Sequence, residues 1–189
     1  MKTDNFKKHT SNNPLKKLFI YNFFGIILKL LKNLKVESVL DVGCGEGFTL
    51  NKLSENKIGK IYEGIDYSRE AIAIGKKLYP NLDLKQGDVY KLPYKDESFD
   101  LVICSEVLEH LEEPEKGLRE LIRVSKKYLL LSVPNEPLFY FFNYTQWGKD
   151  IGHINKWTFL GFKRFIQKEN LKIISFRTPF PWTVVLIKK

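Results

Sequence analysis

The chain has 189 residues, of which 43% are hydrophobic, 14% aromatic and 28% charged. This composition supports one core of ordinary size and excludes an extended disordered chain, a collagen-like one or a disulfide-dense one. With 31 Lys and Arg against 22 Asp and Glu the net charge is +9, so the mean field attracts phosphates, acidic ligands or anionic lipid without choosing among them. Residues 1–13 are polar and hold the turn cluster Ser11-Asn12-Asn13-Pro14, which predicts a flexible arm. The spacing over 15–34 predicts a helix that is apolar nearly all round between Leu18 and Leu28, so something must cover it. Lys16 and Lys17 before that run imitate a signal peptide, but no small-residue cleavage site follows. Asn22 and Gly25 interrupt the run, which is too short to span a bilayer and could lie on one. Strands and helices then alternate: a strand over 38–42, a helix over 48–55, a strand over 60–65 and a helix over 68–78. Strands over 82–86 and 99–104, a helix over 114–124 and an unbroken apolar strand over 128–133 continue the rhythm. Such strands imply a parallel sheet covered on both faces. An aromatic loop over 134–147, a helix over 158–169 and strands over 171–176 and 183–187 complete the chain, the last two as an antiparallel hairpin.

Val39-Leu40-Asp41-Val42-Gly43-Cys44-Gly45-Glu46-Gly47 is a buried strand running into a glycine-rich turn that opens a helix. Glycine there permits positive φ and close approach of a ligand to the backbone. Asp66 ends the next strand at about the 20-residue interval expected of a carboxylate on ribose hydroxyls. Asp88, after the third strand, could accept the exocyclic amine of an adenine. Three strand ends thus converge on one crevice, the usual ligand position in open parallel sheets. The plain alternative is that the glycines serve packing and the acids are solvated.

In their order and spacing these segments, with 99–111, resemble the class I S-adenosylmethionine-dependent methyltransferases over most of residues 37–133. The resemblance implies a Rossmann-like α/β fold with helices on both faces and a seven-stranded mixed sheet of order 3-2-1-4-5-7-6, strand 7 antiparallel. The chain itself reads as one domain: the arm 1–13, a lid helix 15–34 and a catalytic core 36–189. The resemblance implies S-adenosylmethionine as donor, with Gly43, Gly45 and Gly47 bordering its methionine part and Asp41 helping to hold its amino group. Asp66 would take the ribose, Tyr67 and Val89 would flank the adenine, Asp88 would meet its amine, and Glu106 would line the donor pocket.

Glu106, Glu109 and His110 fall on one face if their segment is helical, and His153 lies further on. The pattern Glu-x-x-Glu-His with a later His resembles the metal-binding set of quinone-pathway O-methyltransferases and small-RNA 2′-O-methyltransferases. It implies a divalent cation, magnesium or manganese, on Glu106, Glu109, His110 and His153. Without metal, His110 or His153 is the general base. Cys104 reads as a buried small residue, and two cysteines with no zinc-like spacing suit a reducing, cytoplasmic setting.

The acceptor expected is a small molecule methylated at oxygen. Neither an Asp-Pro-Pro-Tyr-like element nor a Pro-Cys pair is present, which disfavours nucleobase methylation. The Glu-His set and the charge keep an RNA ribose hydroxyl open, and a non-catalytic donor-binding protein is the third reading. The aromatic segment 138–144 with Trp147 and Trp157 could form an acceptor pocket, pack a helix or make a homodimer contact; monomer and homodimer both stay open. Lys29, Lys32 and Lys35 beside an apolar helix permit peripheral membrane contact.

Overall fold

The computed structural model describes residues 3–136 and 152–189. Helix α1 is Asp4–His9 and α2 is Pro14–Leu31. Alternation then runs through β1 (Ser38–Val42), α3 (Phe48–Glu55), β2 (Ile61–Asp66), α4 (Arg69–Leu78), β3 (Asp83–Gln86) and β4 (Phe99–Ser105). A 3₁₀ turn at Leu108–His110 precedes α5 (Pro114–Val124) and β5 (Ser125–Pro134). Helix α6 (Phe159–Gln167), β6 (Lys172–Arg177) and β7 (Trp182–Lys188) follow.

Local chemistry explains the helix starts. The Asn13 side chain accepts from the backbone N–H groups of Leu15 and Lys16, with Pro14 in the first turn. Ser68 Oγ accepts from Ala71 and Thr158 Oγ1 from Gly161. Each cap satisfies a donor that the first turn leaves unpaired.

The sheet order is β3-β2-β1-β4-β5-β7-β6, with the first five strands parallel and β7 antiparallel to both its neighbours, as expected from the sequence. Side chains alternate between faces. Val39, Leu101, Ile103, Leu130 and Leu186 pack beneath α2, α3 and α4, around Phe23, Ile27, Leu50 and Ile72. Leu40, Val102, Leu131, Val185 and Ile187 pack beneath α5 and α6, around Leu118, Leu121, Phe162 and Ile166. Register sets Asp41 beside Gly64 on one side and Ile103 on the other, so the end of β1 is central and shielded.

Helix α4 sits close to the glycine turn. A methyl group on Gly75 would lie 2.7 Å from the Glu46 carbonyl oxygen and 2.6 Å from Leu84 Cδ1. The carbonyl is backbone and cannot swing aside. Gly75→Ala gains about 0.5–1 kcal/mol of helix preference but incurs an overpacking cost of about 1–3 kcal/mol. Urea denaturation should therefore show a net loss of stability; an equal or higher midpoint would refute the close packing.

The N-terminus departs from expectation. Residues 4–9 form a helix rather than a flexible arm, and the helix docks on the glycine turn. Thr3 Oγ1 donates to the Glu46 carboxylate, and Asn5 Nδ2 donates to its other oxygen at 2.5 Å. The His9 ring stacks on Phe48 at 4.4 Å. These donors satisfy a fully buried acid that would otherwise be costly.

Burial, with Lys8 beside it, lowers the His9 pKa from 6.5 to about 3. A depressed histidine pKa contributes stability above the unfolded value, and that contribution is lost as pH falls through 6.5 toward 3. Acidification should therefore undock α1, seen as faster amide exchange over residues 5–10, and His9→Phe should blunt the effect. Equal protection of these amides at pH 7 and pH 4 in the wild type would contradict it.

The aromatic segment 138–144 and Trp147 lie outside the described residues. Trp157 packs against Phe162 and Phe165, with ring centroids 5.4 and 4.9 Å apart, so it belongs to the core beneath α6 rather than to an acceptor pocket.

Candidate active site

A cavity of ≈520 Å³ opens where β1, β2 and β4 end. Its floor is the glycine turn, in which Gly43, Gly45 and Gly47 all hold positive φ, at +78°, +54° and +86°. A methyl group on Gly43 would fall 2.1 Å from Val107 Cγ2, so bare backbone is required there.

Asp66 braces the turn: Oδ2 accepts from Gly45 N–H and Oδ1 from Ser68 N–H, both at 2.7 Å. A carboxylate has about four acceptor positions, so both oxygens retain capacity toward the cavity. Burial raises the Asp66 pKa, against the two backbone hydrogen bonds that lower it. Asp41, nearly fully buried, is pushed up to about 8 by burial and by the Asp66 charge. A cationic group bound here would relieve both. Asp88, Tyr67 and Val89 line the same cavity, with Tyr67 81% exposed. Asp88 Oδ1 accepts from Tyr90 N–H at 2.9 Å. The structure thus brings every residue expected to touch the donor to one cavity except Gly47, which caps α3 just beyond it. Volume, bare backbone and carboxylates with spare lone pairs together fit an adenosyl donor.

The segment after β4 is helical only in part. Glu106 takes a positive φ of 60° and its N–H donates to Ser132 O; only Leu108–His110 make a helical turn. Glu106 does not join the cluster of ligand atoms formed by Glu109, His110 and His153. Its Oε2 accepts from Trp182 Nε1 at 2.6 Å and lies 3.5 Å from Lys8 Nζ, which leaves it on the cavity wall. Of the four expected metal ligands, Glu109, His110 and His153 bring ligand atoms within 4.8 Å of one another. Glu109 is buried and both its carboxylate oxygens lack a hydrogen-bond partner among the described residues. Burial, and then the Glu106 charge, hold its pKa well above the ordinary carboxylate range.

His110 lines the cavity, and its Nδ1 lies 3.1 Å from Gly152 O. A carbonyl can only accept, so Nδ1 carries the proton and Nε2 keeps its lone pair. Burial lowers the His110 pKa, favouring the neutral ring. His153 stacks edge-on against it at 4.9 Å and pairs through Nδ1 with Glu136 at 3.0 Å. Asn155 Nδ2 donates to the Leu108 and Leu111 carbonyls, while Ile154 and Asn155 N–H donate to Glu109 O. This clamp holds the His110 turn in place.

Glu136, Asn155 and Trp182 escaped the sequence reading. A tryptophan heading a buried strand, whose indole N–H needs an acceptor, was the one available signal. Cys44 and Cys104 are buried, and burial raises both thiol pKa values, which keeps them protonated and inert.

Residues 40–130 match the family described as "Methyltransferase domain". Norajmaline N-methyltransferase of Rauvolfia serpentina is 38% identical over 97 residues, which is 48% of this chain and 33% of that enzyme. Demethylmenaquinone methyltransferase of Renibacterium salmoninarum is 34% identical over 90 residues, 48% of this chain and 37% of that enzyme. The chain thus spans about a third of either relative's length. The fold extends further: a Pyrococcus horikoshii protein superposes with a TM-score of 0.75 at 19% identity, covering 97% of this chain and 95% of that one. Sheet order, glycine turn and sequence match agree in supporting a class I S-adenosylmethionine-dependent methyltransferase.

Proposed function

We propose that this protein binds S-adenosylmethionine in the ≈520 Å³ cavity and transfers its methyl group to the hydroxyl of a small-molecule acceptor. The convergence of the glycine turn, Asp41, Asp66, Asp88 and His110 on one cavity carries this reading. When bound, the donor supplies an electrophilic methyl carbon on a sulfonium. Asp66 takes the ribose hydroxyls, Asp88 the adenine amine between Tyr67 and Val89, and Asp41 balances the positive charge of the methionine part. His110 Nε2 removes the acceptor's proton as its oxygen becomes a nucleophile, a role worth about 10²–10⁴ in rate. Ile20, Phe23 and Trp182 supply apolar wall that excludes water and suits a flat or lipid-like acceptor.

A second reading rests on the two buried oxygens of Glu109, which have no partner among the described residues and lie beside two imidazoles. There Glu109, His110 and His153 hold a divalent cation that orients and acidifies the hydroxyl. Methyl-labelled donor incubated with cell extract, with and without a chelator, separates the two. Label transfer that survives chelation supports His110 as base; transfer lost on chelation and restored by magnesium or manganese supports the cation. Donor binding with no label transferred to any acceptor would contradict both.

A further inference from the structure

Helix α2 has two apolar faces and the fold covers only one. Phe23, Phe24, Ile27 and Leu31 are buried against the sheet. On the other side Leu15, Leu18 and Tyr21, spaced i, i+3, i+6, are 46%, 59% and 79% exposed, with nothing over them among the described residues. A helix apolar on both sides and wet on one is built for a partner.

Charge identifies that partner. Residues 5–36 contain seven lysines and no Asp or Glu, in a chain whose net charge is +9. Lys17, Lys29 and Lys32 are exposed along α2. A second copy of the chain would set like charge against like. RNA would find a single ring, Tyr21, beside two leucines, where stacking needs successive rings. Aliphatic side chains ringed by lysines suit hydrocarbon beneath anionic headgroups.

Position agrees as well. Ile20 and Phe23, from the same half of α2, line the donor cavity, and Phe19 meets Phe180 just before β7. The half of α2 that carries the exposed stripe on one face thus lines the cavity with the other. No described helix is long and apolar enough to cross a membrane, so contact would be peripheral.

We propose that the outer face of α2, through Leu15, Leu18, Tyr21 and the flanking lysines, docks the protein on an anionic membrane surface. Delivery of a membrane-dissolved acceptor follows only if the methyl-transfer reading holds; docking itself does not depend on it.

Vesicle sedimentation of the full chain tests this without any turnover. Vesicles of phosphatidylcholine with about 30% phosphatidylserine should bind the protein at least about tenfold more tightly than phosphatidylcholine alone, and less as salt rises. Leu15→Ser with Leu18→Ser should weaken binding at least about tenfold. Charge reversal at Lys17, Lys29 and Lys32 should weaken it by at least about fivefold per lysine. Both variants should keep the wild-type melting temperature and affinity for S-adenosylhomocysteine. The proposal is overturned by no sedimentation with anionic vesicles, by equal binding to neutral ones, by either folded variant binding as wild type, or by single-stranded RNA binding in place of vesicles.

Discussion

Asp66→Ala is expected to lower affinity for S-adenosylhomocysteine by at least about a hundredfold. Two ribose hydroxyls would lose their acceptor, and a hydrogen bond to a charged group contributes about 1.5–3 kcal/mol. The substitution also frees the N–H groups of Gly45 and Ser68, loosening the turn that floors the cavity. Asp66→Asn separates these effects, since its single carbonyl oxygen can keep one brace while the charge is gone. Calorimetry should rank wild type above Asn and Asn above Ala, with all three folded in a thermal melt. An Ala variant that binds like wild type would remove Asp66 from the donor site.

His110→Ala is expected to lower kcat by about 10²–10⁴ while changing affinity for S-adenosylhomocysteine only a few-fold. Its Nδ1 is committed to Gly152 O and its ring lines the cavity, so the substitution removes the Nε2 lone pair and little of the surrounding packing. Parallel loss of turnover and product affinity would instead make it a structural residue of the clamp around Asn155. Asn155→Ala offers the contrast: it should disturb turnover through the position of the Leu108–His110 turn and should also lower thermal stability, because two carbonyls lose their donor.

What the sequence disclosed was local and repetitive. The apolar run ending at Val42 and the three glycines after it specify a buried strand and a turn on their own, because positive φ and two-sided burial leave residue-type signatures. The antiparallel terminal hairpin was legible for a similar reason: two apolar segments lie within a short connection of each other. What stayed hidden depends on partners far along the chain. Residues 4–9 carry no periodic apolar face, and their helix is held by Glu46 and Phe48, some forty residues away. Glu106 leaves the helical path because its N–H meets Ser132 on the neighbouring strand and its carboxylate meets Trp182. Neither contact has a trace in the spacing of Ser105 to Leu111. The clustering of Glu109, His110 and His153, by contrast, was foreshadowed by the resemblance of the Glu-x-x-Glu-His pattern with a later His, in a chain with only three histidines.

The most direct measurement is a crystal structure of the complex with S-adenosylhomocysteine. The ribose oxygens should lie within hydrogen-bond distance of Asp66, the adenine between Tyr67 and Val89 with its amine at Asp88, and the methionine part along Gly43 to Gly47. The ligand bound elsewhere, or a crevice that closes on its own side chains and leaves it out, would contradict the account.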